Sequence, residues 1–197
     1  MSLKTWLTAA CTLMLAASVQ AEALKLVFTG DIMLDDGPGR LIGKGGDPLL
    51  LFSAILQDAD YRIGNLECAI AESGNQIDNK IYNFRAKPRV MRILKGRIDA
   101  VSLANNHAGD FGHEAFRETM HHLGQAGIQY FGGGRNLSEA HKPLWIERKG
   151  LKIAVLGYNE FKPRSFEAGA EWPGVAWSED DHVIADIRGA KAAGADL

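Results

Sequence analysis

Cysteine is scarce in this 197-residue sequence, which contains only Cys11 and Cys68. Cys11 falls within a segment that we predict to be removed, and one remaining cysteine cannot form an intramolecular disulfide. A disulfide-stapled scaffold is therefore excluded. No base or charge-bearing motif accompanies Cys68, so we interpret it as a small core residue rather than a nucleophile.

An excess of either charge is also missing, because 22 Lys and Arg residues face 24 Asp and Glu residues. This balance excludes the basic field that nucleic acid or anionic lipid would require, and we expect no nucleic-acid partner. With 46% hydrophobic and 23% charged residues and no repeat, the sequence also excludes a disordered chain or a coiled coil. Function must therefore come from a local site.

No apolar run reaches the ~20 residues that a membrane-spanning helix needs. Residues 1–21 instead predict a secretory signal peptide, with Lys4 before an apolar stretch over residues 6–17 and Ala21 at the cleavage site. Two alternatives are a lipoprotein cleavage site at Cys11 and a buried N-terminal helix. We expect residues 22–197 to form the mature protein, which would be periplasmic or extracellular and associated with the cell envelope.

Apolar runs with turn residues between them predict strands that alternate with helices. A hairpin is predicted over 143–147 and 152–158, around a short charged turn. The pattern predicts an α/β fold, a layered mixed β-sheet sandwich flanked by helices. The predicted strands cover residues 24–29, 61–63, 98–103 and 128–131, and the predicted helices cover 48–57, 90–95 and the segment from 113 to a C-cap at Gly127.

Polar residues follow three of the predicted strands. Asp31 ends the first, Asn65 and Glu67 follow the second, and an Asn-Asn-His run with Asp110 close behind follows the third. Ligands of open α/β sheets bind at the carboxyl ends of the strands, so these side chains are expected to meet in one crevice. Carboxylate and amide oxygens with an imidazole suit a divalent cation. The alternative is that each residue only caps a helix or satisfies a turn.

The same residues resemble a known family. Residues 29–34 (TGDIML), 64–67 (GNLE) and 102–107 (SLANNH) are similar to the CapA capsule synthesis family, which concerns poly-γ-glutamate and belongs with the calcineurin-like metallophosphoesterases. Residues 132–136 and 152–158 follow the same pattern in order. The resemblance runs from about residue 24 to residue 197. It implies a metallophosphoesterase-like fold.

The resemblance also implies roles for individual residues. Asp31, Asn65, Glu67 and Asn106 match metal-ligand positions, and the cofactor would be a divalent ion of Mn, Mg, Fe or Zn. His107 matches the catalytic histidine, and Asp110, close behind it, is the second candidate catalytic residue. Two cations about 4 Å apart would clamp a phosphoryl oxygen and activate water, while the imidazole acts as general acid.

Two positions depart from the family pattern. Met33 stands where the first motif usually has a histidine, and Asn65 stands where the second motif usually has an aspartate. The later His-Trp-Gly and Gly-His-x-His segments do not occur in this sequence. We therefore expect residues 22–197 to be the N-terminal portion of a longer domain, either a fragment or a truncated gene product.

Two functions follow from these residues. The first is a metal-dependent hydrolase that acts on a phosphoester or on an amide of an anionic envelope polymer. The second is a non-catalytic protein that handles or assembles the polymer and keeps a degraded metal site. Membrane proteins of capsule synthesis are expected partners in either case. A third possibility is an inactive truncated product.

Several other residues are not assigned to a site. His121 and His122 are adjacent on a predicted helix and are expected to be solvated, and His141 and His182 are not spaced like metal ligands. The glycines at 132–134 are interpreted as a tight turn.

Overall fold

The computed structural model describes residues 22–162 and 164–197. The predicted signal peptide, residues 1–21, therefore lies outside the described residues. None of the helices in the described part of the chain has the length and hydropathy required to cross a bilayer.

Strands and short helices alternate along the chain. Two 3₁₀ turns, Leu50–Phe52 and Pro88–Val90, precede the second and third helices. The elements in chain order are β1 (Leu26–Ile32), α1 (Asp36–Gly43), α2 (Ser53–Asp58), β2 (Tyr61–Leu66), β3 (Ala69–Ile70), β4 (Arg85–Ala86), α3 (Met91–Leu94), β5 (Ala100–Ser102), α4 (Gly112–Ala126), β6 (Gln129–Phe131), β7 (Gly133–Gly134), α5 (Leu137–Ala140), β8 (Leu144–Arg148), β9 (Leu151–Val155), β10 (Gly174–Val175) and α6 (Asp180–Ala192).

The central sheet is parallel and has the strand order β1-β2-β5-β6. The register between β1 and β2 shifts between Phe28 and Asp31, where Gly30 adopts a φ of +72°. This bulge adds one residue to β1 and changes the direction in which the side chains after it point. As a result Asp31 lies opposite Asn65, which in turn lies opposite Ser102 of β5.

One face of the sheet is covered by helices. Phe116, Met120 and Leu123 recur at helical spacing on α4 and pack in the core cluster that contains Val101 of β5. Gly127 ends α4 with a φ of +72°, the left-handed conformation typical of a glycine C-cap. The predicted helix and its cap are therefore confirmed.

The other face of the sheet is covered by the β8–β9 hairpin. Ile146 and Ile153 of the hairpin pack in one cluster with Ile63 of β2 and Phe131 of β6. The two-residue turn at 149–150 has positive φ at both positions, as expected for a tight hairpin. The layers of helices, parallel sheet and hairpin confirm the predicted α/β class, and the antiparallel pairs form separate two-stranded sheets.

The glycine run at 132–134 differs from the prediction. Gly132 turns the chain with a φ of +70°, but Gly133–Gly134 form β7, which pairs antiparallel with β10. A Cβ on Gly134 would lie only 2.5 Å from the Cβ of Glu139. Glycine is therefore required because α5 packs directly against this strand, and not only because the chain turns.

A long loop between β3 and β4 is fastened to α4 at its start. Glu118 accepts hydrogen bonds from the backbone N–H of Glu72 and from the N–H and hydroxyl of Ser73, at 3.0, 3.0 and 2.6 Å. Burial opposes ionisation of Glu118, but the hydrogen bonds from Ser73, Glu72 and His122 outweigh it and lower the pKa of Glu118 to about 2. The ionised carboxylate therefore holds the loop in place.

We predict that Glu118→Gln lowers the free energy of unfolding at pH 7 by about 1–2 kcal/mol, because charge-assisted hydrogen bonds are lost. Since the pKa of Glu118 is lowered in the folded state, the stabilisation is present above about pH 4.5 and is lost as the pH falls toward 2. Urea unfolding at several pH values measures the difference. Glu114→Gln, on the exposed face of the same helix, is the control, and a loss that does not shrink in acid would contradict the prediction.

Candidate functional site

The ends of β1 and β2 bring two carboxylates to one amide. Asn65 donates from Nδ2 to Asp31 Oδ1 at 2.9 Å and to Glu67 Oε1 at 2.7 Å. The bulge in β1 creates this arrangement, because it places Asp31 directly opposite Asn65 in the sheet. Each carboxylate uses one oxygen in the shared interaction, so its other oxygen remains available for a ligand.

Asn105 holds Asn65 in this orientation. Its buried Nδ2 donates to Asn65 Oδ1 and to the carbonyl of Leu66, both at 2.9 Å, and its Oδ1 accepts from the N–H of His107 at 2.9 Å. The residues after β5 are thereby joined to the end of β2. Sequence reasoning missed this role, although Asn105 is the first asparagine of the Asn-Asn-His run.

Asn106 lies apart from this network. Its backbone oxygen accepts from Lys80 at 2.5 Å, and its side chain lines a neighbouring cavity. The contacts among the described residues do not join its side chain to Asp31 or Glu67. The role of Asn106 as a metal ligand therefore stays a prediction.

His107 and Asp110 form a hydrogen-bonded pair beside the carboxylates. Asp110 is fully buried, and its Oδ2 lies 2.8 Å from His107 Nδ1 and accepts from the N–H of Phe84 at 2.7 Å. Because an ionised carboxylate only accepts hydrogen bonds, Nδ1 carries the proton and Nε2 is the free nitrogen. That Nε2 faces Glu67, 3.8 Å from Oε2.

Lys80 is a further site residue that the sequence did not reveal. Its ammonium group forms an ion pair with the buried Asp110 and lies 3.3 Å from His107 Nδ1. A fully buried carboxylate is costly unless a cation or several hydrogen bonds compensate it. Lys80 supplies that cation from the β3–β4 loop, between the motifs at 64–67 and 102–107 and in neither of them, so no sequence signal marks it.

The electrostatics of the carboxylate pair are unfavourable. Burial raises the pKa of Glu67 above its ordinary value, and repulsion from Asp31 raises it further. The hydrogen bond from Asn65 and the nearby His107 offset only part of this rise. The half-buried Glu67 beside the exposed Asp31 therefore favours a proton or a cation between the two carboxylates.

The donor set suits one hard cation better than two. No three His, Cys, Asp or Glu side chains are arranged to hold a metal within residues 22–162 and 164–197. The free oxygens of Asp31 and Glu67 are ligands that Mg²⁺ or Mn²⁺ prefers. Met33 packs against the core, and its sulfur accepts from the N–H of Asp35 at 3.3 Å, so this position adds no nitrogen ligand.

A cavity of about 410 Å³ opens beside the network. Phe166 and Ile77 provide apolar walls, while Lys80, Lys162 and Asn159 provide polar groups. Hydrogen-bond donors in an apolar cleft are suited to orienting a ligand that carries carboxylate or phosphate oxygens.

Comparison with known proteins finds a matching family and several related sequences. The family described as "Bacterial capsule synthesis protein PGA_cap" matches residues 25–197. The "PGA biosynthesis protein CapA" of Bacillus subtilis is 28% identical over 179 residues, which cover 86% of this chain and 46% of that protein. The "Capsule biosynthesis protein CapA" of Bacillus anthracis is 25% identical over 180 residues, 86% of this chain and 43% of that protein.

A "Probable polyglutamine synthesis accessory protein" of Mycobacterium tuberculosis is 31% identical over 141 residues, 68% of this chain and 37% of that protein. The chain thus spans less than half the length of these three relatives. The family match over residues 25–197 includes all the strand ends that build the site.

We predict that Glu67→Gln stabilises the protein at pH 7 by about 1 kcal/mol, because it removes a half-buried negative charge beside Asp31. Because the pKa of Glu67 is raised in the folded state, the protonated side chain contributes to the stability of the fold below about pH 4.5. This contribution is lost as the pH rises through the folded-state pKa of Glu67. The gain should therefore disappear in acid. Thermal unfolding between pH 4 and pH 8 tests this, with exposed Glu171→Gln as the control. A variant that is less stable than the parent at pH 7 would contradict the prediction that repulsion between Glu67 and Asp31 destabilises the fold.

We predict that Lys80→Met destabilises the fold by about 3 kcal/mol, because the buried Asp110 loses its cation. Addition of Asp110→Asn to this variant should restore part of the loss, since the uncompensated charge is then absent. Urea unfolding measures both effects, and Lys44→Met, at an exposed position, is the control. Equal losses of unfolding free energy for Lys80→Met and Lys44→Met would show that Lys80 does not compensate the charge of Asp110.

Proposed function

The chain belongs to the PGA_cap family of bacterial capsule synthesis proteins, and from that premise we propose that it takes part in the synthesis of a poly-glutamate-type capsule polymer. The names of the relatives support this, since two are capsule or PGA biosynthesis proteins and one is a polyglutamine synthesis accessory protein. The signal-peptide pattern of residues 1–21 supports action outside the cytoplasm, at the cell envelope. Membrane proteins of capsule synthesis would then be its partners.

We further propose that the cluster at the sheet edge is a hydrolytic site for a phosphoester or an amide of an anionic polymer. The observation that carries this proposal is the free Nε2 of His107, which Asp110 orients toward Glu67. Asp31 and Glu67 would hold a divalent cation, Mn, Mg, Fe or Zn, through the oxygens that Asn65 leaves free. When bound, the cation would polarise the scissile group and supply a metal-activated water nucleophile.

The residues of the chain account for the other parts of the reaction. His107 Nε2 accepts a proton from the attacking water and passes it to the leaving oxygen or nitrogen, and the Asp110 carboxylate stabilises the imidazolium that exists between the two transfers. Asn105 fixes the backbone at His107, so the imidazole keeps its position. Lys162 and Asn159 orient the carboxylates of the polymer in the adjoining cavity.

A second function, non-catalytic polymer handling, is favoured by one specific observation. The amide N–H₂ of Asn65 interacts with both carboxylates and so takes part of the role that a cation would play. With Met33 directed into the core, the site keeps fewer ligands than a two-metal phosphoesterase requires. In this alternative the cavity would bind the polymer without cleaving it.

We predict that the chain with MnCl₂ hydrolyses bis(p-nitrophenyl) phosphate or a γ-glutamyl oligomer, and that His107→Asn reduces kcat by at least ~100-fold through loss of the general acid. Release of nitrophenolate or of free amine measures the two activities. His121→Asn, on an exposed helix face, should leave the rate unchanged.

Binding of the γ-glutamyl oligomer, measured by calorimetry, separates the two proposals. Binding without hydrolysis of either compound would favour polymer handling. Neither binding nor hydrolysis would contradict both functions.

A further inference from the structure

A second polar cluster lies away from the candidate site, between the end of α5 and the start of α6. His141 follows α5, and its Nδ1 lies 2.7 Å from Oδ2 of Asp186 on α6. Tyr158, just after β9, donates its hydroxyl to the same oxygen at 2.9 Å. His182 is one turn before Asp186 on α6, so the two side chains share a helix face. The fold thus brings together two histidines that are distant in sequence.

The hydrogen bond to Asp186 fixes the tautomer of His141. The carboxylate accepts from Nδ1–H, so the lone pair of the imidazole is on Nε2. Burial and the contact with Asp186 raise the pKa of Tyr158, so the phenol stays protonated and remains a donor. A histidine whose other ring nitrogen donates to a carboxylate is the arrangement in which metal-binding histidines are oriented and made more basic.

Both histidines leave a buried nitrogen without a partner. The side chain of His141 is only 9% exposed, and neither its Nε2 nor Nδ1 of His182 has a hydrogen-bond partner among the described residues. The two rings are close, with centroids 4.8 Å apart and planes at 73°. A buried polar atom without a partner is costly, so two such nitrogens on neighbouring rings require an explanation.

We propose that His141 Nε2 and His182 Nδ1 together bind one borderline transition-metal ion, with Zn²⁺ as the reference case. Imidazole nitrogen suits Zn²⁺, Ni²⁺ and Cu²⁺ and does not favour Mg²⁺ or Ca²⁺, so the site would differ in metal preference from the carboxylates of Asp31 and Glu67. Asp186 orients the first ligand. Both oxygens of the neighbouring Glu167 are already bound by Arg164 at 2.6 Å, so water completes the coordination.

Metal at this position would fasten α6 to the rest of the fold. His182 lies in the first turn of α6, whereas His141 lies between α5 and β8. The far end of α6 is already anchored, because the carbonyl of Leu197 accepts from the N–H of Ala154 in β9 at 2.9 Å. Zinc would add a cross-link at the near end of the helix and stabilise the folded state by mass action.

The test is calorimetric titration of ZnCl₂ into the full chain carrying Asp31→Asn and Glu67→Gln, which removes the other carboxylate pair. We expect one zinc ion per chain. Adding His141→Gln or His182→Gln to this background should weaken binding at least tenfold. The matched control is His121→Gln, an exposed helical histidine, which should leave the affinity unchanged.

Nitrogen NMR of the imidazoles supplies a readout that needs no substitution at the pair itself. Zinc should shift the signals of His141 Nε2 and His182 Nδ1 together in the background protein. The proposal is overturned if those signals do not move, or if zinc binds equally well after both histidines are replaced. It does not depend on the hydrolytic function, so either can fail without the other.

Discussion

Two like-charged carboxylates held at one edge of a parallel sheet are the constraint on which the rest of the site depends. The exposed Asp31 repels the half-buried Glu67, and burial together with this repulsion raises the pKa of Glu67. The amide of Asn65 holds both, and Asn105 holds that amide. The chain therefore keeps an electrostatically unfavourable pair in a fixed position. Such strain is typical of functional sites, where stability is given up for binding or catalysis.

The surrounding structure maintains this position from three directions. The bulge at Gly30 sets the register that places Asp31 opposite Asn65. The β3–β4 loop contributes Lys80 to the buried Asp110, and Glu118 on α4 fastens the start of that loop. Asp110 in turn directs the imidazole of His107 toward Glu67. Loop, helix and sheet thus support one arrangement, and a change in any of them would alter the site.

Much of the fold could be predicted from the sequence, because apolar runs and turn residues mark the strands of the central sheet and the hairpin. Helix α1 could not, since the Gly-Pro-Gly run at residues 37–39 in its first turn has poor helix propensity. The strand ends predicted which polar residues would meet, and five of the six predicted site residues lie in the network. Asn105 and Lys80 were missed because neighbouring amides look equivalent in sequence and a loop lysine carries no periodic signal.

Anomalous diffraction from crystals of the chain grown with MnCl₂ is the most direct test of the central claim. We expect a single manganese peak bonded to the free oxygens of Asp31 and Glu67, with Asn65 still bridging their other oxygens and His107 Nε2 nearby. Two carboxylates that point apart, or manganese bound only elsewhere on the molecule, would contradict it.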